Sequence, residues 1–459
     1  MRHWNIGIIG GGPGGLITAY SLLKLVSVSV KITLFEASSR LGGKILTPQF
    51  QAAPVSYEAG AAEFYDYSVF EEDSLKALIR ELGLPVSPMG GPAVVMGDRF
   101  LSNLDDFQDH FGPQARQALA EFDRAARNRV TPFEFYHSDD PEGVIQDGQI
   151  GFEQMLDDVQ KPEVRKFIET LIHSDLATEP HQTNMGYGLQ NYLMNDPAYM
   201  SLYGIVGGNE RLPQELASRI AADVLLNHQA QSVAKVDHSL RVTSLAEGRE
   251  QQHDFDFVIV ALPHSHLNSV AYQGDRLSTA MSQHHAHYNY PAHYLRITIL
   301  FERAFWRDAC GDSYWMLDHF GGCCLYDESS RDPSCDYGVL GWLLAGDAAE
   351  SMNRMSDDAL IAEALDSLPG FFANPHKQFI EARVHRWIGA VNANPGGRLR
   401  KSHDHRHQPE PVEHPNFFVV GDYLFDSTLN GVVDSAQYVA AWVAAQISEP
   451  SFFGVNQIE

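Results

Sequence analysis

Six residues near the start of the chain, Gly10-Gly11-Gly12-Pro13-Gly14-Gly15, have the composition of a loop that admits a phosphate. A G-x-G-x-x-G spacing runs through them. Gly10 permits a tight turn, Gly12 lets the backbone approach a pyrophosphate with no Cβ in the way, and Gly15 lets a helix pack closely on a strand. A helix N-terminus after such a turn offers unpaired N–H groups and the positive end of its dipole. Glu36 stands 21 residues past Gly15. A carboxylate there accepts hydrogen bonds from ribose hydroxyls, and it disfavours a 2′-phosphate, so an NADP-type ligand does not fit.

The elements that must position these groups are readable around them. Trp4–Ile9 is a short apolar run, suited to a strand buried on both faces. Leu16–Leu25 reads as a helix, and Val30–Phe35 is a second β-branched run that closes on Glu36. Strand, glycine turn, helix, strand and acid together predict dinucleotide binding.

Composition bounds the rest. The 459 residues are 44% hydrophobic and 20% charged, ordinary for a globular chain with a large buried core. Lys and Arg number 33 against 59 Asp and Glu, a formal net charge of −26, which excludes a nucleic-acid partner held by phosphate neutralisation. The four cysteines, Cys310, Cys323, Cys324 and Cys335, form no C-x-x-C pair and no disulfide framework, which points to a reducing compartment. No signal-peptide pattern opens the sequence, and no apolar stretch reaches the about 18 residues a membrane span needs. A cytoplasmic protein without a membrane span is expected. Histidines cluster at His284, His285, His287 and His293, and again at His403, His405 and His407. With no H-E-x-x-H motif, solvated loops rather than a metal site are expected for them.

Glu36-Ala37-Ser38-Ser39-Arg40-Leu41-Gly42-Gly43-Lys44 resembles the E-A-x-x-R-x-G-G-R/K motif of the flavin-containing amine oxidoreductase family, which includes monoamine and polyamine oxidases, L-amino-acid oxidases and desaturases. A second glycine pair lets another loop close over the pyrophosphate, and Arg40 and Lys44 supply positive charge. Further segments resemble the family in its order. Glu58-Ala59-Gly60-Ala61 is similar to the E-x-G-A stretch that passes the flavin ring. Gly207–Pro213 is similar to G-G-x-x-x-L-P, and Gln231-Ser232-Val233 to the strand whose valine backbone meets adenine. Asp256–Pro263 resembles D-x-V-I-x-A-x-P. Phe417–Asp422 followed by the helix opening at Gly431-Val432 resembles the unit that sets an acid on the ribityl chain and a helix N-terminus at the pyrimidine. The resemblance thus implies noncovalent FAD, held by Gly10, Gly12, Pro13, Gly14, Gly15, Glu36, Ala37, Arg40, Gly43, Lys44, Gly60, Ala61, Val233, Gly421, Asp422 and Val432. No second G-x-G-x-x-G appears in mid-chain, which suggests that the substrate itself reduces the flavin.

The implied fold is α/β, a Rossmann-like FAD-binding domain of the GR2 type with an interleaved α+β substrate-binding domain. Residues 1–66, 204–268 and 386–459 are assigned to the first, and residues 67–203 and 269–385 to the second. The second carries helix-like stretches at Asp73–Leu82, Gln114–Arg127 and Pro162–Ile172. It also carries an alternating strand in which Leu295, Ile297, Ile299 and Phe301 face away from Tyr294, Arg296, Thr298 and Leu300.

The resemblance also frames the chemistry. Amine oxidases of the family place a lysine, which holds a water beside flavin N5, before a Phe-Trp pair. Counting ten residues back from Trp306 reaches Arg296. Arginine stays charged and cannot act as a base; Arg296 either anchors a substrate oxygen near N5 or is a salt-bridged strand residue. Glu63 occupies the place of the arginine that grips the α-carboxylate in L-amino-acid oxidases. A carboxylate there repels an acid and attracts a cation, unless Glu63 pairs structurally with Arg296. Trp387 stands where family members set an aromatic against substrate, and Thr428 where the second aromatic of the cage would be. The catalytic candidates are therefore Arg296 and Glu63, and the substrate-binding candidates Trp387 and Thr428. The expected activity is hydride transfer from an amine or amino-acid derivative to flavin N5, with oxygen or another acceptor as oxidant and with a homodimer possible. The alternatives are a desaturase acting on a C–C bond and a non-redox flavin isomerase.

Overall fold

Trp4–Ile9 is the middle strand of a five-stranded parallel sheet, ordered Phe417–Val419, Phe257–Val260, Trp4–Ile9, Val30–Phe35, Ala222–Leu225. Ile8 lies level with Leu34 on one side and Ile259 on the other, and all three are fully buried. A parallel sheet with crossover helices is covered on both faces, which is why these strands are apolar without alternation. Helix Pro13–Leu25 makes the first crossover, with Pro13 in its first turn where a missing N–H is harmless. Helix Leu429–Ser448 packs beside it.

A computed structural model describes residues 3–69, 72–91, 93–136, 150–332, 334–372, 375–397, 401–425 and 427–448. The chain forms two compact units: Met1–Ile45 with Glu210–Asn289 and Lys401–Glu459, and Leu46–Asn209 with Tyr290–Arg400. The sequence-based divisions after residues 66, 203, 268 and 385 compare with divisions after 45, 209, 289 and 400. Strand Phe64–Asp66 pairs with Ser201–Ile205, which ties the segment after residue 45 into the second unit.

The first unit adds a second sheet, Arg249–Phe255, Ser239–Ala246, Gln229–Val236 and the short Ala271–Tyr272. Leu240, Val242, Ser244 and Ala246 are buried while their neighbours are partly exposed, the period of a strand with one face on the core.

The second unit is built on a seven-stranded sheet in the order Phe379–Asn392, Pro291–Phe301, Gly338–Ala345, Cys323–Asp327, Tyr314–Leu317, Ala93–Met96, Arg99–Leu101. Pro291–Phe301 alternates as expected. Leu295, Ile297, Ile299 and Phe301 join one apolar cluster with Trp306, Trp315 and Trp342, while Leu300 packs with Phe50, Tyr57 and Val339. The expected helices are present as Ser74–Glu81, Pro113–Arg129 and Pro162–Leu176. Asp73 caps the first by accepting from the Lys76 amide. Among the described residues no helix is long and apolar enough to cross a membrane.

Three glycines in the first turn have different mechanical duties. Gly10 has φ 113°, a conformation that L side chains rarely adopt. A Cβ on Gly15 would run into the Gly10 carbonyl oxygen, whereas one on Gly12 would meet only the Cα of Gly43, at 3.7 Å. Gly15→Ala should therefore lower unfolding free energy by about 1–3 kcal/mol, read from the urea midpoint. Gly12→Ala should keep the midpoint within about 0.5 kcal/mol yet weaken binding of the expected FAD, read by ultrafiltration after incubation with FAD. Equal midpoints for the two variants would contradict this division of labour.

Candidate active site

In the first unit, Glu36 organises the glycine turn. Its Oε2 accepts from the Gly11 amide at 2.8 Å, and its Oε1 from the Ser38 amide and hydroxyl at 2.8 and 2.7 Å. Each carboxylate oxygen has two lone pairs, so these bonds orient the group and leave it able to accept from a ribose hydroxyl. The Gly42-Gly43 pair has positive φ at both residues, 105° and 54°, and brings Gly43 over Gly12. Arg40 shapes this loop from within. Its Nη1 donates to the carbonyls of Leu41 at 3.1 Å and Ile45 at 3.4 Å, and its Nη2 to the carbonyl of Gly43. Lys44 Nζ lies 2.8 Å from Asp422 Oδ2, and Asp422 Oδ1 accepts from the Tyr423 amide at 2.8 Å. The loop expected over the pyrophosphate and the turn expected at the ribityl chain are thereby tied by an ion pair. The space above Gly12 and the helix N-terminus behind it suit a pyrophosphate, and the oriented carboxylate suits a ribose.

The remaining first-unit candidates are placed as follows. Ala37 is exposed beside Glu36. The Gly14 carbonyl accepts from the Thr18 hydroxyl at 2.6 Å. Val233 is fully buried in a middle strand, and its carbonyl accepts from the Gln273 amide at 2.8 Å. The Gly421 amide donates to Ser435 Oγ at 3.2 Å. The Thr428 hydroxyl accepts from the Gly431 amide at 3.1 Å and the Thr428 carbonyl from the Val432 amide at 3.2 Å, so Thr428 caps the last helix.

In the second unit, the turn that carries Gly60 and Ala61 is gripped by side chains from several other segments. The Glu58 amide donates to Glu328 Oε2 at 2.6 Å, and the Glu58 carbonyl accepts from Arg296 Nε. The Ala59 carbonyl accepts from the Trp387 indole at 2.6 Å, the Ala61 carbonyl from Asn209 Nδ2 at 2.9 Å, and the Ala62 carbonyl from Arg331 Nη2. The Glu58 carboxylate takes Arg331 Nη1 at 2.6 Å, the Asn209 amide at 2.9 Å and the Thr47 hydroxyl at 2.8 Å.

Arg296 is fully buried on strand Pro291–Phe301. Its Nη2 pairs with Glu328, its guanidinium lies 5.0 Å above the Tyr326 ring, and its Nη1 has no hydrogen-bond partner among the described residues. The planar fork serves a carbonyl and a carboxylate at once, which a lysine cannot do. The ion-pair partner of Arg296 is thus Glu328, not Glu63.

Glu63 receives the Tyr326 hydroxyl. Its Oε2 is shielded from water and has no partner among the described residues. Burial pushes the Glu63 carboxyl up, against that hydrogen bond and the pull of Arg296 and Arg331. Asp175, on helix Pro162–Leu176, is pushed well above the usual carboxylate range by burial and then by the Glu63 charge. Tyr65, Tyr294 and Tyr326 are also pushed up by burial, each with Glu63 and Asp175 among the charges acting on it. The result is an interior with two carboxyls and a tyrosine wall, against the apolar cluster that includes Tyr314, Met316 and Cys324. Sequence reasoning missed Asp175, Asn209, Glu328 and Arg331. None lies in a recognisable motif apart from Asn209, which sits inside the Gly207–Pro213 stretch already singled out.

The histidine clusters differ from expectation. His284 lies on helix Asp275–His287 and His407 on the short helix His403–His407, and both are buried. Burial pushes both imidazoles down, His407 to about 3. Among the described residues no group of His, Cys, Asp and Glu could hold a metal ion.

The chain is similar to several known proteins. The "Probable polyamine oxidase 4" of Arabidopsis thaliana is 22% identical over 365 residues, 77% of this chain and 68% of that one. Coproporphyrinogen III oxidase of Mycobacterium tuberculosis is 39% identical, but over 77 residues, 17% of this chain and 16% of that one. Cyclohexylamine oxidase from Brevibacterium oxydans IH-35A superposes with a TM-score of 0.74 at 18% identity, covering 98% of this chain and all of that one. Wild-type putrescine oxidase bound to putrescine gives 0.73 at 20% identity, covering 97% and 99%. The model of the flavin containing amine oxidoreductase family matches residues 13–444, and the chain belongs to that family.

Proposed function

We propose that this protein oxidises an amine that carries no α-carboxylate, using noncovalently held FAD, with oxygen or another acceptor restoring the oxidised cofactor. The observation that carries the reading is the Glu63 carboxyl, unpaired at Oε2 among the described residues and raised by burial, with the Tyr326 hydroxyl on it and Arg296 and Arg331 already engaged by Glu328 and Glu58. The ionised Glu63 favours a cation there, whereas a substrate carboxylate would meet its negative charge while the charges of Arg296 and Arg331 are already balanced by Glu328 and Glu58. The amine names of the similar proteins support the same class.

The residues divide the work. FAD supplies a two-electron acceptor for the C–H bond next to nitrogen. Gly12, Glu36, Lys44 and Asp422 would hold its dinucleotide part, and Gly60 and Ala61 are the candidates for its ring. Glu63, when ionised, draws in the ammonium form, and because burial raises its affinity for a proton it can take the ammonium proton and leave the amine neutral, while Asp175 stays protonated beside it. The buried Tyr326 and the half-buried Tyr65 and Tyr294 limit the water around Glu63, which strengthens these interactions. The oxidised product is an imine, which hydrolyses to a carbonyl compound and the released amine or ammonia.

Anaerobic mixing with a panel of primary amines, diamines, amino acids and apolar unsaturation precursors should bleach the flavin band with amines and leave it unchanged with α-amino acids. Bleaching confined to compounds without nitrogen would overturn the reading in favour of C–C desaturation. Glu63→Gln should cost about 1.5–3 kcal/mol of amine binding, a KM increase of roughly 10- to 150-fold, with kcat/KM as the check. The wild-type acid limb of kcat/KM should rise with pH as the elevated Glu63 carboxyl ionises, and that limb should vanish in Glu63→Gln. A variant that keeps the limb would remove Glu63 from substrate capture.

A further inference from the structure

We propose that Arg331, together with Glu328 and Asn209, is a positioning residue that sets the Gly60 and Ala61 amides as hydrogen-bond donors to the flavin ring. The proposal rests on the flavin that family membership implies, and not on the choice of an amine as substrate.

The polar backbone atoms of Glu58–Ala62 divide unevenly. The carbonyls of Glu58, Ala59, Ala61 and Ala62 all accept from side chains, namely Arg296, Trp387, Asn209 and Arg331. The amides of Glu58 and Ala59 are also taken, by Glu328 and by the Leu46 carbonyl at 2.9 Å. The amides of Gly60 and Ala61 have no partner among the described residues. Gly60 and Ala61 are only partly exposed. Consecutive N–H groups without an acceptor, on a turn held by side chains at both ends, form a ready site for an electron-rich ligand atom.

The way the turn is fixed supports a positioning duty over a stabilising one. Glu58, Arg331, Arg296 and Glu328 place four charges in a largely dry interior, with side-chain exposures of 2, 11, 0 and 2%. Buried ion pairs of this kind stabilise a fold little better than apolar residues of equal volume, because desolvation offsets attraction. What they do well is enforce one geometry. Arg331 spans the turn, with Nη1 on the Glu58 carboxylate and Nη2 on the Ala62 carbonyl. The two ends of the turn are then at a set separation, and the Gly60 and Ala61 donors between them cannot swing. Fixed donors favour the ligand state with more negative charge, which for a flavin is the reduced one.

The test uses the full-length protein with FAD bound and after FAD removal. Hydrogen exchange of the peptide spanning Gly60 and Ala61 is followed by mass spectrometry, and affinities for oxidised and reduced FAD are measured under anaerobic conditions. In the wild type, the two amides should exchange freely without FAD and become protected with it. In Arg331→Met, protection should fall at least tenfold, and the ratio of reduced to oxidised affinity should fall about tenfold, the equivalent of one misaligned hydrogen bond. Arg331→Met strands the Glu58 charge and can unfold the unit, so the double variant E58Q/R331M, which removes both charges, carries the same measurement. It should fold, bind FAD and show the same loss. An unchanged affinity ratio with unchanged amide protection in either folded variant overturns the proposal. Failure of the neutral double variant to fold also overturns it, since the network would then be a stability element.

Discussion

Four buried charges around one short turn are the constraint on which the second unit's candidate site depends. Once Glu58 is inside, Arg331 must meet it, and Arg331 in turn reaches the Ala62 carbonyl. Arg296 and Glu328 repeat the device one strand away, with Arg296 also holding the Glu58 carbonyl. Gly341 sits directly beneath this second pair, where a Cβ would meet both Glu328 and Arg296. A glycine in the middle of a fully buried strand is costly for a sheet, and here the space it leaves is filled by the ion pair. The arginine at position 296 therefore does work in this chain that a lysine's single ammonium could not reproduce.

The two units ask different things of their sequences. In the first, the requirements are local: a turn, a helix start and an acid within forty residues or so. That is why the glycine run, Glu36 and the strands around them could be read directly, and why Trp4–Ile9 and Val30–Phe35 coincide with the observed strands. The alternation of residues 294–301 was legible for the same reason, since period-two patterning is a property of one strand.

The second unit's site was not legible because its residues meet through the fold. Glu58 and Arg331 are 273 positions apart, and Arg296 and Glu328 come from strand Pro291–Phe301 and the turn after Cys323–Asp327. Asp175 looks in sequence like a polar interruption of an apolar helix. The histidines mislead for a related reason: polarity suggested loops, whereas His284 and His407 are wrapped by Tyr288, Tyr423, Phe425 and Tyr438. Aromatic neighbours shelter an imidazole that no single-sequence rule would bury.

The interleaving of the two units has a consequence for synthesis. The edge strand Phe417–Val419 and helix Leu429–Ser448 belong to the first unit but are made after the whole of the second. The parallel sheet begun by Trp4–Ile9 therefore waits, with one flank of Phe257–Val260 uncovered, until the last segment of the second unit has been made. Pairings of such long sequence separation form slowly and leave strand edges open to other chains. The first unit is thus completed only after the second has been made, and its uncovered flank stays open to misassociation until then.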